Sequence, residues 1–147
     1  RRSGGETVTA LELTKPTFKK IEAEWFKYRQ TVKEIQMLRE EIMNPPKEYD
    51  ENIGGGRGSE IGKPTERIAT RLTTNKQLRY LNDVVDAIEE VYNALPDDYK
   101  KLVQLRYWSK CELTWDGVAL RLNVSRRQAI RWRDDIIQAT NEVLGWR

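Results

Sequence analysis

Thr114–Trp132, TWDGVALRLNVSRRQAIRW, decides the reading of this chain. Apolar Val118, Leu122, Val124, Ala129 and Trp132 fall where two short helices crossing at a steep angle must touch, and small Ala119 stands where their backbones come closest. Thr114 and Ser125 are residue types that cap helix starts, each standing just before one of the two runs. Ser125-Arg126-Arg127-Gln128 also satisfies the capping box, in which the serine oxygen accepts from a free amide and the glutamine side chain reaches back. The pattern predicts a helix-turn-helix whose second helix opens at Ser125.

The polar face of that second helix points to its chemistry. Arg126, Arg127, Gln128 and Arg131 crowd its first two turns, and Arg133 follows. An arginine fork can bridge the two acceptors of guanine or clamp a phosphate, glutamine can pair with adenine, and the first turn of a recognition helix enters the major groove. Ser125, Arg126, Arg127, Gln128 and Arg131 are therefore the expected groove contacts, with Lys100, Lys101, Thr114 and Arg121 holding the DNA backbone and Arg133 a further expected DNA-binding residue. The plainer alternative is a solvated basic face on a core helix; the paired caps and matched apolar spacing select against it. Trp108, Trp115 and Trp132 have the helical spacing of core residues, not of base-stacking ones.

Charge is distributed in the same sense. Residues 99–147 hold ten Lys and Arg against five acids, a net of +5, whereas residues 1–98 hold sixteen against eighteen, a net of −2. Between Tyr99 and Arg133, nine cations face only Glu112 and Asp116. Such a surface attracts a polyanion, and the attraction weakens with salt.

Composition narrows the class further. The 147 residues are 33% charged and 38% hydrophobic, as in a soluble helical protein with one modest core and an extended element. No apolar run reaches the roughly 18 residues of a membrane span, so no membrane partner is expected. RRSGGETVTA at the start lacks the apolar core of a secretory signal, and residues 1–13 read as a disordered arm or an appended segment. The lone Cys111 cannot form an internal disulfide; it reads as a buried or partly buried apolar filler in a reducing cytoplasm. There is no histidine, so a Cys/His zinc site and the commonest general base are both missing. Asp97-Asp98 and Asp134-Asp135 have simpler roles than catalysis: the first pair suits the start of a helix opened by Pro96, and the second is expected to pair with nearby arginines such as Arg131. Neither an enzymatic role nor a cofactor or metal is expected.

Residues 14–95 carry a different pattern. Phe18, Ile21, Trp25, Tyr28, Val32, Ile35, Arg39 and Ile42 alternate steps of three and four, a heptad seam broken once by an arginine. Leu78, Leu81, Val85, Ile88, Tyr92 and Leu95 form a second seam, which Ile68 and Leu72 extend backwards. Two long helices are predicted, the first between Pro16 and Asn44-Pro45-Pro46, the second between Pro64 and Pro96. The segment 44–64 between them holds five of the nine glycines and three of the five prolines and reads as a flexible linker. Its Gly54-Gly55-Gly56-Arg57-Gly58 lacks the Lys-Ser/Thr pair and preceding strand of a phosphate-binding loop. The length of the linker permits an antiparallel hairpin within the chain or pairing with a second one. Trp25, Tyr28 and the break at Arg39 disfavour a simple two-stranded zipper, so a hairpin that also supplies a dimer or higher interface is expected. The fold class is all-α: a long N-terminal helical hairpin or coiled coil followed by a helix-turn-helix domain over 96–147.

Three stretches together resemble a known family: LPDDYKKLVQLRYW at Leu95–Trp108, LTWDGVALRLNVSRRQAIRWRDDI at Leu113–Ile136 and, more loosely, GGGRGSEIGKPTER at Gly54–Arg67. They are similar to the RinA-type transcriptional activators of bacteriophages and prophages, whose helix-turn-helix is related in style to region 4 of sigma factors. Ala129 departs from the family, which more often has a β-branched residue there. The resemblance implies activation of late phage genes in the bacterial host cytoplasm, near the nucleoid, with host RNA polymerase as partner. The competing expectation is the small subunit of a phage packaging motor, which combines the same elements but tends to place its DNA-binding domain first. A recombinase tail would lack its catalytic domain in a chain of this length.

Overall fold

Helix starts in this protein coincide with residues that satisfy or dispense with a free amide. Thr14 accepts from the amide of Thr17 and Pro16 follows in the first turn. Pro96 stands at the start of another helix with Asp97 and Asp98 in its first turn, where negative charge suits the helix dipole. Gly145, at φ 73°, ends the last helix in a left-handed conformation that costs glycine little.

The computed structural model describes residues 13–44 and 64–146. They form six helices: α1 Lys15–Phe26, α2 Tyr28–Met43, α3 Pro64–Ala94, α4 Asp97–Arg106, α5 Trp115–Leu122 and α6 Arg126–Leu144. No strand occurs among the described residues, so the fold is all-α. Residues 1–12, with most of the expected arm, and residues 45–63, with nearly all of the expected linker, lie outside them.

The described residues fall into two compact units, one of residues 13–28 with 84–146, the other of 29–44 with 64–83. In the first, Ile21 and Trp25 of α1 share one core with Val84, Ile88 and Val91 of α3, Leu102 and Val103 of α4, Val118 and Ala119 of α5, and Ala129, Ile136 and Ile137 of α6. Trp25 is fully buried, and its indole N–H donates to Thr140 Oγ1 at 3.1 Å, a contact between residues 115 positions apart. Trp108, Trp115 and Trp132 pack partly buried against the same core, as their spacing predicts. Cys111 is exposed, contrary to its expected role as a filler: residues 108–114 form an irregular surface turn in which Ser109 Oγ donates to the Cys111 carbonyl.

The first long helix of the sequence reading divides at Lys27. A continuous helix would give the Trp25 carbonyl to the amide four residues on; here the indole N–H of Trp108 donates to it at 3.0 Å. Lys27, with φ −92° and ψ 5°, closes α1.

In the second unit, Thr31 and Ile35 of α2 and Leu81 of α3 are buried. Arg39, the charged break in the first seam, donates to Asn82 Oδ1 of α3 at 3.3 Å. Ile68 and Leu72 do lie on α3, as the periodicity requires, yet they are 59% and 58% exposed.

Candidate nucleic-acid interface

α5 and α6 are built by their caps. Thr114 Oγ1 accepts from the Gly117 amide at 3.1 Å and Ser125 Oγ accepts from the Gln128 amide at 3.0 Å, so both helices start where the residue types require. Between them Asn123 adopts φ 61° and ψ 43° and closes α5. Asparagine tolerates this left-handed conformation better than most residues that have a Cβ. Val118 and Ala129 are fully buried and Ala119 nearly so, with Leu122, Val124 and Trp132 partly buried against the same core. Ala129 is thus sealed inside.

The structure brings Arg126, Arg127 and Arg131 together on the outside of the first two turns of α6, all exposed, with Gln128 half-buried beside them. Arg127 and Arg131 lie one turn apart on one face. Arg126 Nε stands 3.5 Å from Asp116 Oδ1 of α5, an exposed ion pair that holds the guanidinium weakly and leaves it available. The N-terminus of α6 adds the positive end of a helix dipole to these three charges. Ser125 and Thr114 are exposed, but each commits its oxygen to its own helix cap, leaving one hydroxyl proton for an outside acceptor. Lys101 of α4 and Arg121 in the last turn of α5 are exposed. Lys100 is half-buried, its ammonium 5.5 Å from the ring centre of Tyr92.

Arg133 is not part of this surface. Its side chain is 18% exposed; Nη1 bonds Glu22 Oε2 at 3.1 Å, Nε bonds Asp134 Oδ1 at 2.7 Å, and the guanidinium lies over Phe18 and Trp115. Burial opposes its charge, and the hydrogen bond to Asp134 with the charge of Glu22 more than offsets this, holding its pKa above the ordinary value. Glu22 also accepts from the Tyr107 hydroxyl at 2.7 Å; burial and then the Glu22 charge push the phenol pKa up. Sequence reading missed this network, although a helical wheel carries the signal. Arg133 lies four residues after Ala129 and three before Ile136, in the middle of the buried face of α6. Arg133→Ala is expected to lower stability by about 2 kcal/mol, by leaving a half-buried carboxylate without its cation. Urea denaturation measures the loss, and the salt dependence of DNA binding should stay as in the wild type.

Of the two aspartates of α6, one pairs with a nearby arginine as expected and the other does not. Asp134 takes Arg133, and Asp135 accepts from the Tyr99 hydroxyl at 2.9 Å, while Arg131 stays exposed. Tyr99 in turn stacks on Trp132 with ring centres 5.1 Å apart, fixing α4 against α6.

The chain matches the family model described as protein of unknown function DUF722 over residues 19–142. It is 30% identical over 129 residues to the transcriptional activator rinA of Staphylococcus phage phi11, an alignment covering 88% of this chain and 91% of that protein. No solved structure matches it. A family match over most of the chain and a relative aligned nearly end to end agree with the motifs of α4–α6: the chain belongs to the DUF722 family and is of the RinA type.

Proposed function

We propose that α5 and α6 form a helix-turn-helix that binds duplex DNA sequence-specifically, and that the protein is a phage transcriptional regulator, an activator working with host RNA polymerase. The observation that carries this reading is the cluster of Arg126, Arg127 and Arg131, exposed on the capped first turns of α6 within the stretch 99–147, where ten cations stand against five acids. Similarity to the transcriptional activator of phage phi11 supports the regulatory role. Gln128 joins the three arginines in the major groove; Ser125 and Thr114 donate their remaining protons to phosphates; Lys100, Lys101 and Arg121 track the backbone. Chemistry on a substrate has no part in this role.

The chain acts as a homo-oligomer through its N-terminal helices. Met37, Ile42 and Met43 of α2 and Ile68 and Leu72 of α3 are exposed apolar side chains on helices of heptad character, and a reader with one recognition helix gains affinity by duplication. Selection of bound fragments from the parent phage genome tests both points, with sedimentation of the selected complexes counting the chains on each site. The expected result is one enriched site beside a promoter, held by two or more chains, with affinity falling steeply as salt rises. Uniform recovery of fragments, or affinity indifferent to salt, would overturn the reading.

A further inference from the structure

Leu120 of α5 is 82% exposed, more than any other large apolar side chain among the described residues. In its own compact unit the next, Val143 and Phe26, reach only 51% and 41%. Nothing in the fold of α5 asks for leucine here, because the buried face of that helix is made by Val118 and Ala119 with Leu122 half-buried beside them. Nor is the side chain on a loose segment: the Leu120 carbonyl accepts from the Asn123 amide at 3.2 Å, which ties it into the turn before α6.

One helical turn before Leu120 stands Asp116, its side chain also 82% exposed. Residues four apart share a helix face, so a carboxylate and an isobutyl group are presented together. Asp116 and Glu112 are the two acids among nine cations between Tyr99 and Arg133. A carboxylate and a bare apolar side chain are the wrong chemistry for a phosphate backbone, which repels the first and offers the second nothing to cover it. The same pair suits a protein surface that sets a basic side chain beside an apolar recess. Position narrows the choice of protein, since α5 immediately precedes the proposed recognition helix and would lie along the edge of the duplex.

We propose that the Asp116–Leu120 face of α5 is the docking surface through which this chain touches RNA polymerase at the promoter, with Leu120 seated in an apolar recess and Asp116 against a basic side chain. The inference rests on the regulator reading and names the surface that reading requires. Arg121, the next residue, keeps its place on the DNA backbone, so one short helix divides its exposed side between the two partners.

The test separates binding from activation. Wild type, Leu120→Ser and the conservative Leu120→Met are compared on a supercoiled template carrying the selected site, with purified bacterial RNA polymerase holoenzyme, measuring transcript and DNA affinity in the same buffer. Leu120→Ser is expected to bind DNA within about twofold of wild type, because the side chain is exposed and outside the DNA-contacting set. Its stimulated transcription should fall at least fivefold, on the order of the roughly 1 kcal/mol of apolar contact removed, with Leu120→Met retaining most of it. Unchanged stimulation by Leu120→Ser, or stimulation falling only in step with DNA affinity, overturns the docking surface while leaving the regulator reading intact. A wild-type chain that bound the site and raised no transcript would bring down the activator reading and the surface with it.

Discussion

Trp25→Ala is expected to cost about 3–5 kcal/mol of stability, the largest effect of any single truncation in this protein. The ring is fully buried, lies 6.0 Å from Trp108 and 6.3 Å from Tyr107 between ring centres, and holds α1 to α6 through its bond to Thr140. Its removal leaves a cavity at the meeting point of α1, α4 and α6. Domains of this size hold only about 5–15 kcal/mol in all, so a substantial unfolded fraction should appear at moderate temperature. The urea midpoint of the full chain checks this, with Cys111→Ser, at an exposed position in an irregular turn, as a comparison expected to move by less than about 0.5 kcal/mol. A Trp25→Ala chain that kept its midpoint and changed only its mass in solution would put Trp25 on a seam between chains, where the heptad pattern alone would have it.

Loss of DNA affinity is the second large effect. Arg127→Ala and Arg131→Ala are each expected to cost about 1–3 kcal/mol in binding to the selected site, with melting temperatures close to wild type because both side chains are exposed. The two lie one turn apart, so the double variant need not equal the sum. Titrating cognate and random duplex in parallel assigns the roles. An arginine that reads a base loses its preference for the cognate site, whereas one that clamps phosphate weakens both duplexes equally and lowers the salt slope by about one. Affinity unmoved by either substitution would remove α6 from the interface.

Much of this was legible in the residues. Thr114, Ser125 and Pro96 announce helix starts because capping is local chemistry, decided within three or four positions, and Val118, Ala119 and Ala129 announce the contact between α5 and α6 because their size and spacing fit no other use. The heptad seams foretold α2 and α3 for the same reason. What the sequence concealed depends on distant partners. Ile21 and Trp25 read as members of a long seam, yet they belong to a core shared with α6, and the division at Lys27 follows from the indole of Trp108, more than eighty residues away. Arg133 looked like its neighbours because an arginine run carries no mark of which member a carboxylate on another helix will claim. Cys111 was misplaced because average burial of a residue type says little about a position in an irregular turn.

The core that Trp25 anchors joins residues more than a hundred positions apart. A ribosome making this protein releases α1 more than a hundred residues before the Ile136, Ile137 and Thr140 that its apolar face packs against. Pieces that begin at Pro96 would carry the whole arginine cluster and still expose the side of α6 that α1 covers. The proposed DNA-binding portion is therefore not an excisable module: removing α1 uncovers the core on which α6 rests.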